Sequence, residues 1–271
     1  MITHKSIGYN GRLGNQMFQY AVLRALSLEK GYEIIFPNTL TPKPDAAFDL
    51  TNNQWIEVGF YLIDCFELDS LKIDKENILS NTIINSYNES TFEFNSSVFD
   101  ISDFTSLEGY FQSPKYFEKY KDIILKDFTF RSYILDKANS FISQYPNPIS
   151  IHIRRGDYVN HPGYWTITPE YIQEALNHFT DDEYTFLIFS DDIEWCKQIF
   201  PEGVVFVEGN NQFEDLCLMS LCDHNIISNS TFSWWGAYLN QNQNKKVVAP
   251  KNWFIPTKPL NDLYPSDWII I

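Results

Sequence analysis

Basic residues are scarce: 20 Lys and Arg stand against 35 Asp and Glu, for a formal net charge of −15. So acidic a chain excludes DNA and RNA as partners, because a phosphate backbone needs a basic face. Any anionic ligand must then be captured locally, by a few placed cations and backbone N–H groups. Cysteine is sparse too. Cys65, Cys196, Cys217 and Cys222 show no metal-ligand spacing, and Cys217 and Cys222 fall in an apolar helical stretch where buried thiols are expected. No apolar run reaches the length of about 18 residues that a membrane span needs. The opening MITHKSIGYNGRLG has no apolar signal region, so a cytoplasmic location is expected. Internal repeats and low-complexity tracts are absent as well.

What is present fits an ordinary globular enzyme. The 271 residues suffice for one large domain or two medium ones. Aromatic residues make up 17% of the chain, enough both to fill cores and to stack on sugar rings, and for any single ring the core is the commoner place.

The C-terminal half alternates strands and helices. Ile149, Ile151 and Ile153 alternate with Ser150, His152 and Arg154, which predicts a strand with one apolar face. Thr168-Pro169 caps a helix running to about Phe179, with proline at the favoured first position. "YTFLIFSDD" reads as a buried strand, and Asp191–Ile199 as a short helix ended by Pro201. "VVFVE", "HNIISN" and "KKVVAP" are further strands, separated by helices over about Gln212–Cys222 and "STFSWWGAYLNQ". Such alternation predicts a parallel sheet covered on both faces, a doubly wound domain. In the N-terminal half a strand near Lys5–Gly8 leads through a glycine loop into a helix from Asn15 to about Lys30, and "YEIIF" is a second strand closed by Pro37. "WIEVGFYLI", "NTIINSY" and "TSLEGYF" mark looser segments, Pro114–Phe141 is helical in parts, and "QYPNP" is a plausible linker. Two α/β lobes with a cleft between them is the economical reading.

Three stretches carry chemistry. In "HIRRGDYV" a strand runs into Arg154, Arg155 and Asp157, and ligands of parallel sheets bind at the carboxyl ends of strands. The period of two puts His152 and Arg154 on one face and Arg155 on the other, so Arg154 is placed to reach into a cleft while a carboxylate holds Arg155. The alternative is that both arginines form salt bridges that shape the loop. An arginine fork suits a diphosphate because it donates to two oxygens at once. In "GYNGRLGNQMFQYA" the glycines Gly8, Gly11 and Gly14 precede a helix whose N-terminus can cradle phosphate. Their spacing is not the dinucleotide fingerprint. No acidic residue ends the next strand, and the Lys-Ser/Thr of a P-loop is missing, so NAD and ATP readings weaken; a tight strand-to-helix turn explains the loop equally well. In "SNSTFSWWGAYL" the residues Ser228, Asn229, Ser230 and Thr231 lie between a strand end and a helix start, as an anion nest or an ordinary N-cap, with Trp234 and Trp235 as packing residues. Asp215 falls in the first turn of its helix, where a carboxylate is stabilised and can accept both Watson–Crick-edge N–H donors of guanine. "SDD" at Ser190–Asp192 lacks D-x-D spacing and reads as a helix cap.

In this order and spacing, "GRLGNQMFQYA", "HIRRGDYV" and "SNSTFSWWGAYL" resemble the bacterial α-1,2-fucosyltransferases of glycosyltransferase family 11. The match runs from Gly11 to Leu239, with little from Thr39 to Phe141. The resemblance implies an α/β fold of the GT-B type, two Rossmann-like lobes with a donor/acceptor cleft between them. The expected parts are an N-terminal acceptor lobe over 1–146, a donor lobe over 147–250 and a tail over 251–271 packing back on both. It implies inverting transfer of L-fucose from GDP-β-L-fucose to the 2-hydroxyl of a galactoside, with no cofactor and no required metal. Carried over residue by residue, Arg154 is similar to the arginine that binds the β-phosphate and stabilises the leaving diphosphate. His152 matches the histidine near guanine and ribose, and Asp215 the guanine-binding aspartate. Ser230 and Thr231, with Asn229 beside them, match the phosphate-binding hydroxyls. Gly11, Gly14, Asn15 and Gln16 match the loop facing the pyrophosphate from the other lobe. Asp157 and His161 are the two candidates for the general base; Asp157 can equally bind Arg155 or the loop backbone. The expected acceptor is a galactose-terminated oligosaccharide or a lipid-linked glycan, the latter bringing the protein peripherally to the inner face of a membrane. Transfer from another nucleotide sugar, and non-catalytic carbohydrate binding on the tryptophans, are the competing readings.

Overall fold

Position 150 of the sequence explains the architecture of the second half better than its isoleucines do. Ser150 and His152 alternate with apolar residues, yet all six residues of the strand Pro148–Ile153 are buried. Polar side chains tolerate such burial only when paired, and these are paired across strands: Ser150 Oγ accepts from Asn225 Nδ2 at 2.7 Å. The predicted one-sided strand is therefore a central strand covered on both faces.

The computed structural model describes residues 1–38, 43–49, 54–59, 61–68, 71–180, 183–257 and 260–271, with only the backbone at 43–49 and 54–58. The chain forms two compact units, one from most of the chain up to Thr129, the other from most of the chain beyond Phe130. The sequence placed the division at "QYPNP"; the structure places it earlier. The reason is the helix Ser132–Ile142, which packs within the second unit, its Lys137 Nζ donating to Glu214 Oε2 at 2.6 Å.

The first unit contains a parallel three-stranded sheet in the order β1 (Ile2–Thr3), β7 (Thr105–Glu108), β6 (Asn85–Asn88). It also holds α1 (Leu13–Lys30), a parallel pair β2 (Phe36–Pro37) and β5 (Ile73–Asp74), and an antiparallel hairpin of β3 (Lys43–Asp49) and β4 (Gln54–Val58). Short helices α2 (Leu62–Cys65), α3 (Leu79–Thr82) and α4 (Lys121–Asp127) complete it. The first strand lies before the segment predicted for it. Lys5–Gly8 is a turn, with the N–H groups of Ile7 and Tyr9 donating to His4 and Ser6 carbonyls. "YEIIF" contributes only its last residue to β2, besides a bridge at Ile34. Met17, Phe18, Ala21, Val22 and Leu26 of α1 are fully buried.

The second unit is a six-stranded parallel sheet with helices α5 (Ser132–Ile142), α6 (Pro169–Leu176), α7 (Ile193–Ile199), α8 (Gln212–Leu221) and α9 (Thr231–Leu239). Its strands are β8 (Pro148–Ile153), β9 (Thr185–Ser190), β10 (Val205–Phe206), β11 (His224–Ile226), β12 (Val247–Ala249) and β13 (Ile269–Ile270). They lie in the order β10-β9-β8-β11-β12-β13. Counted within the unit this is the dinucleotide-binding order of a doubly wound sheet, with the reversal between β8 and β11. The predicted helix starts hold: Thr168 caps α6, Asp192 caps α7, and Asn211 with Glu214 forms a capping box on α8. Among the described residues no helix is long and apolar enough to cross a membrane.

Candidate functional site

In sheets of this order the ligand crevice opens at the carboxyl ends of the two strands flanking the reversal. Here those strands are β8 and β11, and their carboxyl ends carry the second and third sequence motifs. The register Ile226↔Ile151 brings the chain after β11 alongside His152. His152 Nδ1 and Ser228 Oγ are 2.7 Å apart, and Ser228 continues to Ser233 Oγ at 3.4 Å. Burial, reinforced by the positive charge of Arg154, lowers the His152 pKa to about 3, so the ring is neutral at physiological pH. Phe232 packs against it with ring centroids 5.6 Å apart.

Beyond β8 the chain makes a tight turn held by carboxylates from β9. Because Ile153 pairs with Ser190, the next position along, Arg154, meets Asp191. Arg154 Nη1 lies 2.6 Å from Asp191 Oδ2, and Nη2 bonds Asp157 Oδ1. Burial opposes the guanidinium charge, but Asp191 and Asp157 outweigh it and keep the pKa above its ordinary value. Asp191 Oδ1 also accepts from the backbone N–H of Arg155 at 2.8 Å and of Gly156 at 3.2 Å. Arg155 turns the other way, bonding Asp192 at 3.0 Å and lying 3.9 Å over the Trp195 ring. Both arginines therefore have carboxylate partners, including the one expected to reach out alone. Asp157 binds Arg154 rather than Arg155. His161 Nδ1 accepts from the Gly163 N–H at 3.0 Å, so in the neutral ring the proton sits on Nε2. Asp191 was missed as a site residue. "SDD" read as a cap, which describes Asp192, and only the β8–β9 register reveals its neighbour.

The third motif opens α9. Ser230 is its N-cap and Thr231 its first residue, so the positive end of the helix dipole lies beside Ser228 and His152. Asn229 is buried and structural at its amide nitrogen, which donates to the carbonyls of Trp165 at 2.7 Å and Trp253 at 3.0 Å. Its Oδ1 is buried and has no partner among the described residues. Trp234 and Trp235 are fully buried, as the packing reading expects, which removes them as a sugar platform. On α8, burial raises the Asp215 carboxyl to about pKa 6, against the lowering effect of Asn210, whose Nδ2 donates to Oδ1 at 3.2 Å.

In the first unit the glycine loop is tied down from inside. Gly11 has φ +99°, and a Cβ there would lie 2.4 Å from Asn15 Nδ2, so glycine is required. Gly14 is buried in the first turn of α1. Asn15 Oδ1 accepts from Gln112 Nε2 at 2.9 Å. Gln16, fully buried, donates to the Gly59 carbonyl at 2.7 Å and the Gly11 carbonyl at 3.3 Å, and accepts from the Tyr61 N–H at 2.9 Å. It holds the loop's shape with both of its N–H donors and its carbonyl oxygen. Gln16→Ala should cost about 2–4 kcal/mol of stability, from orphaned backbone groups and a cavity; urea unfolding of the variant measures it.

The structure thus gathers His152, Arg154, Asp157, Ser228, Ser230 and Thr231 around one sheet reversal. A fixed cation, a neutral histidine, hydroxyls and a helix N-terminus together suit an anion such as a diphosphate. The model of "Glycosyl transferase family 11" matches residues 2–271. An α-1,2-colitosyltransferase of Escherichia coli is 33% identical, over 96% of each chain. The O-antigen biosynthesis glycosyltransferase WbnK of Escherichia coli is 30% identical, over 90% of this chain and 93% of its own. Among solved structures, the fucosyltransferase NodZ from Bradyrhizobium shares the fold with TM-score 0.52 and 11% identity, covering 87% of this chain and 91% of its own. The expected α/β class of GT-B type agrees with that neighbour.

Proposed function

The chain belongs to glycosyl transferase family 11, and from that premise we propose that it transfers L-fucose from GDP-β-L-fucose to the 2-hydroxyl of a galactoside, with inversion and without a metal. The observation that carries this reading is the placement of Arg154, His152 and the α9 N-terminus at the reversal of a 3-2-1-4-5-6 sheet. As the acceptor hydroxyl gives up its proton to a base and its oxygen bonds to the anomeric carbon, the bond to the diphosphate breaks and negative charge accumulates on the departing oxygen. Arg154, held in place by Asp191 and Asp157, and the α9 dipole are preorganised to receive that charge, the electrostatic work that otherwise falls to a divalent cation. His152 stays neutral and serves as a hydrogen-bonding partner to donor groups, its orientation set by Ser228. Asp215 reads the guanine edge. Asp157 acts as a positioning partner of Arg154. A base role for Asp157 or His161 requires exchange of the Arg154 or Gly163 bond when acceptor arrives.

Gly156 tests the preorganisation. A Cβ there would lie 2.6 Å from Asp191 Oδ2, the oxygen that holds Arg154. Gly156→Ala should lower kcat by about tenfold or more with the protein still folded, because sub-ångström misplacement of a charge-stabilising group is costly. Initial rates at saturating donor measure it, and an unchanged kcat contradicts the role of the clamp.

A second reading of the sugar comes from the 33% identical colitosyltransferase. Colitose is fucose without its 3-hydroxyl, so the same diphosphate site can serve either donor. Incubation with GDP-fucose and GDP-colitose against one galactoside panel decides between them. The O-antigen relative directs that panel toward lipid-linked repeats as well as free oligosaccharides.

A further inference from the structure

At the opposite end of the second unit's sheet, the amino ends of β8, β9, β11 and β12 surround an open cavity of about 710 Å³. Ligand chemistry in doubly wound sheets belongs to the carboxyl ends, so the donor-site residues play no part here. Among the described residues no Lys or Arg lines the cavity, while Glu183 and Asp223 both do. That excludes nucleotides and other anions as occupants. Three amides line it instead: Asn147 from the turn before β8, and Asn242 and Asn244 from the loop before β12.

Their arrangement is built rather than incidental. Asp223 Oδ1 accepts from Asn242 Nδ2 at 3.1 Å, and Asn242 Oδ1 accepts from the Asn244 N–H at 2.9 Å. This chain of bonds fixes the loop before β12, and among the described residues the second Asp223 oxygen and the Asn244 side-chain amide meet no partner. His224 is only 8% exposed and lines the same cavity. Its Nδ1 accepts from the Lys246 N–H at 3.0 Å, which puts the ring proton on Nε2. Nε2 meets no side-chain acceptor among the described residues. Tyr184, in edge contact with the His224 ring at 5.5 Å, supplies the aromatic wall.

Carboxylates that accept, amides that both accept and donate, a directed N–H and an aromatic ring are what vicinal hydroxyls and the apolar face of a sugar require. We propose that this cavity is a second, non-catalytic binding site for a neutral oligosaccharide. Its role, holding the inner part of a long glycan acceptor, rests on the transferase reading above; the ligand class does not.

The test is an ¹H–¹⁵N titration of the whole protein with a galactose-terminated tetrasaccharide, free of donor. Shifts of the Asn147, Asn244 and Lys246 amide signals are expected, unaltered by saturating GDP. The exposed change Asn244→Trp should abolish them while leaving GDP binding intact, and His224→Phe should weaken them at least threefold. Absence of shifts at these amides at millimolar tetrasaccharide, or their survival in Asn244→Trp, overturns the proposal. Glycan shifts without any GDP binding overturn the fucosyltransferase reading instead and leave the cavity's assignment standing.

Discussion

Arg154→Ala should reduce kcat by about 10²–10³, the loss seen when one charge-stabilising donor is removed from a transition state. The guanidinium is half-enclosed by Asp157 and Asp191, so alanine also leaves two neighbouring carboxylates without their cation. Some loss of stability is therefore expected alongside the rate. Arg154→Lys separates the two effects. Lysine restores the positive charge between the carboxylates but not the planar fork that can serve them and a phosphate together. It should recover most of the stability and little of the rate. The decisive comparison is kcat of both variants at saturating GDP-fucose, with circular dichroism melts as the folding control. A folded Arg154→Ala enzyme with wild-type kcat removes Arg154 from the chemistry.

Asp215→Asn should weaken GDP binding by about 10–100-fold, because a bidentate carboxylate–guanine pair is worth about 1–3 kcal/mol of recognition. The same change should stabilise the free protein. Burial raises the Asp215 pKa from 3.8 to about 6, so the folded state favours the neutral carboxyl. The stabilisation is complete below 3.8 and is lost as pH rises through 6; at pH 7–8 the ionised, buried group therefore costs the fold up to about 3 kcal/mol. Asparagine removes that cost. Wild-type GDP affinity should accordingly fall below pH 6 as the carboxylate protonates, and the Asn variant should lose this dependence. Calorimetry between pH 5 and 8 reads both. Tighter GDP binding by the variant, or equal affinity across that range in the wild type, assigns Asp215 to packing alone.

Much of the second unit was legible because its signals are local. Alternating isoleucines mark a strand and Thr168-Pro169 a helix start without reference to distant residues. The position of "RRGDYV" and "SNST" at strand ends was legible for the same reason, since the apolar runs before them mark the strands. What escaped depends on register. Nothing local says that Asp191 faces Arg154, that Ser228 faces His152, or that Gln16 spends itself on Gly59 and Tyr61. The division of the chain escaped for a related reason. "QYPNP" has linker composition, but α5 before it is held to α8 by contacts nearly eighty positions apart, such as Lys137 with Glu214. In the first unit the strands are short, four residues or fewer in the main sheet, too few for a period-two pattern to stand out.

Thermal unfolding of the purified protein with GDP, UDP, ADP and NAD, each with Mg²⁺ and with EDTA, tests most directly for a guanine-diphosphate site that works without a metal. A ligand at a hundredfold excess over its Kd adds about 2.7 kcal/mol of apparent stability. A rise in Tm is expected with GDP that the other three do not match and that EDTA leaves unchanged. No rise with GDP, a larger one with UDP or NAD, or a GDP response that vanishes in EDTA contradicts such a site.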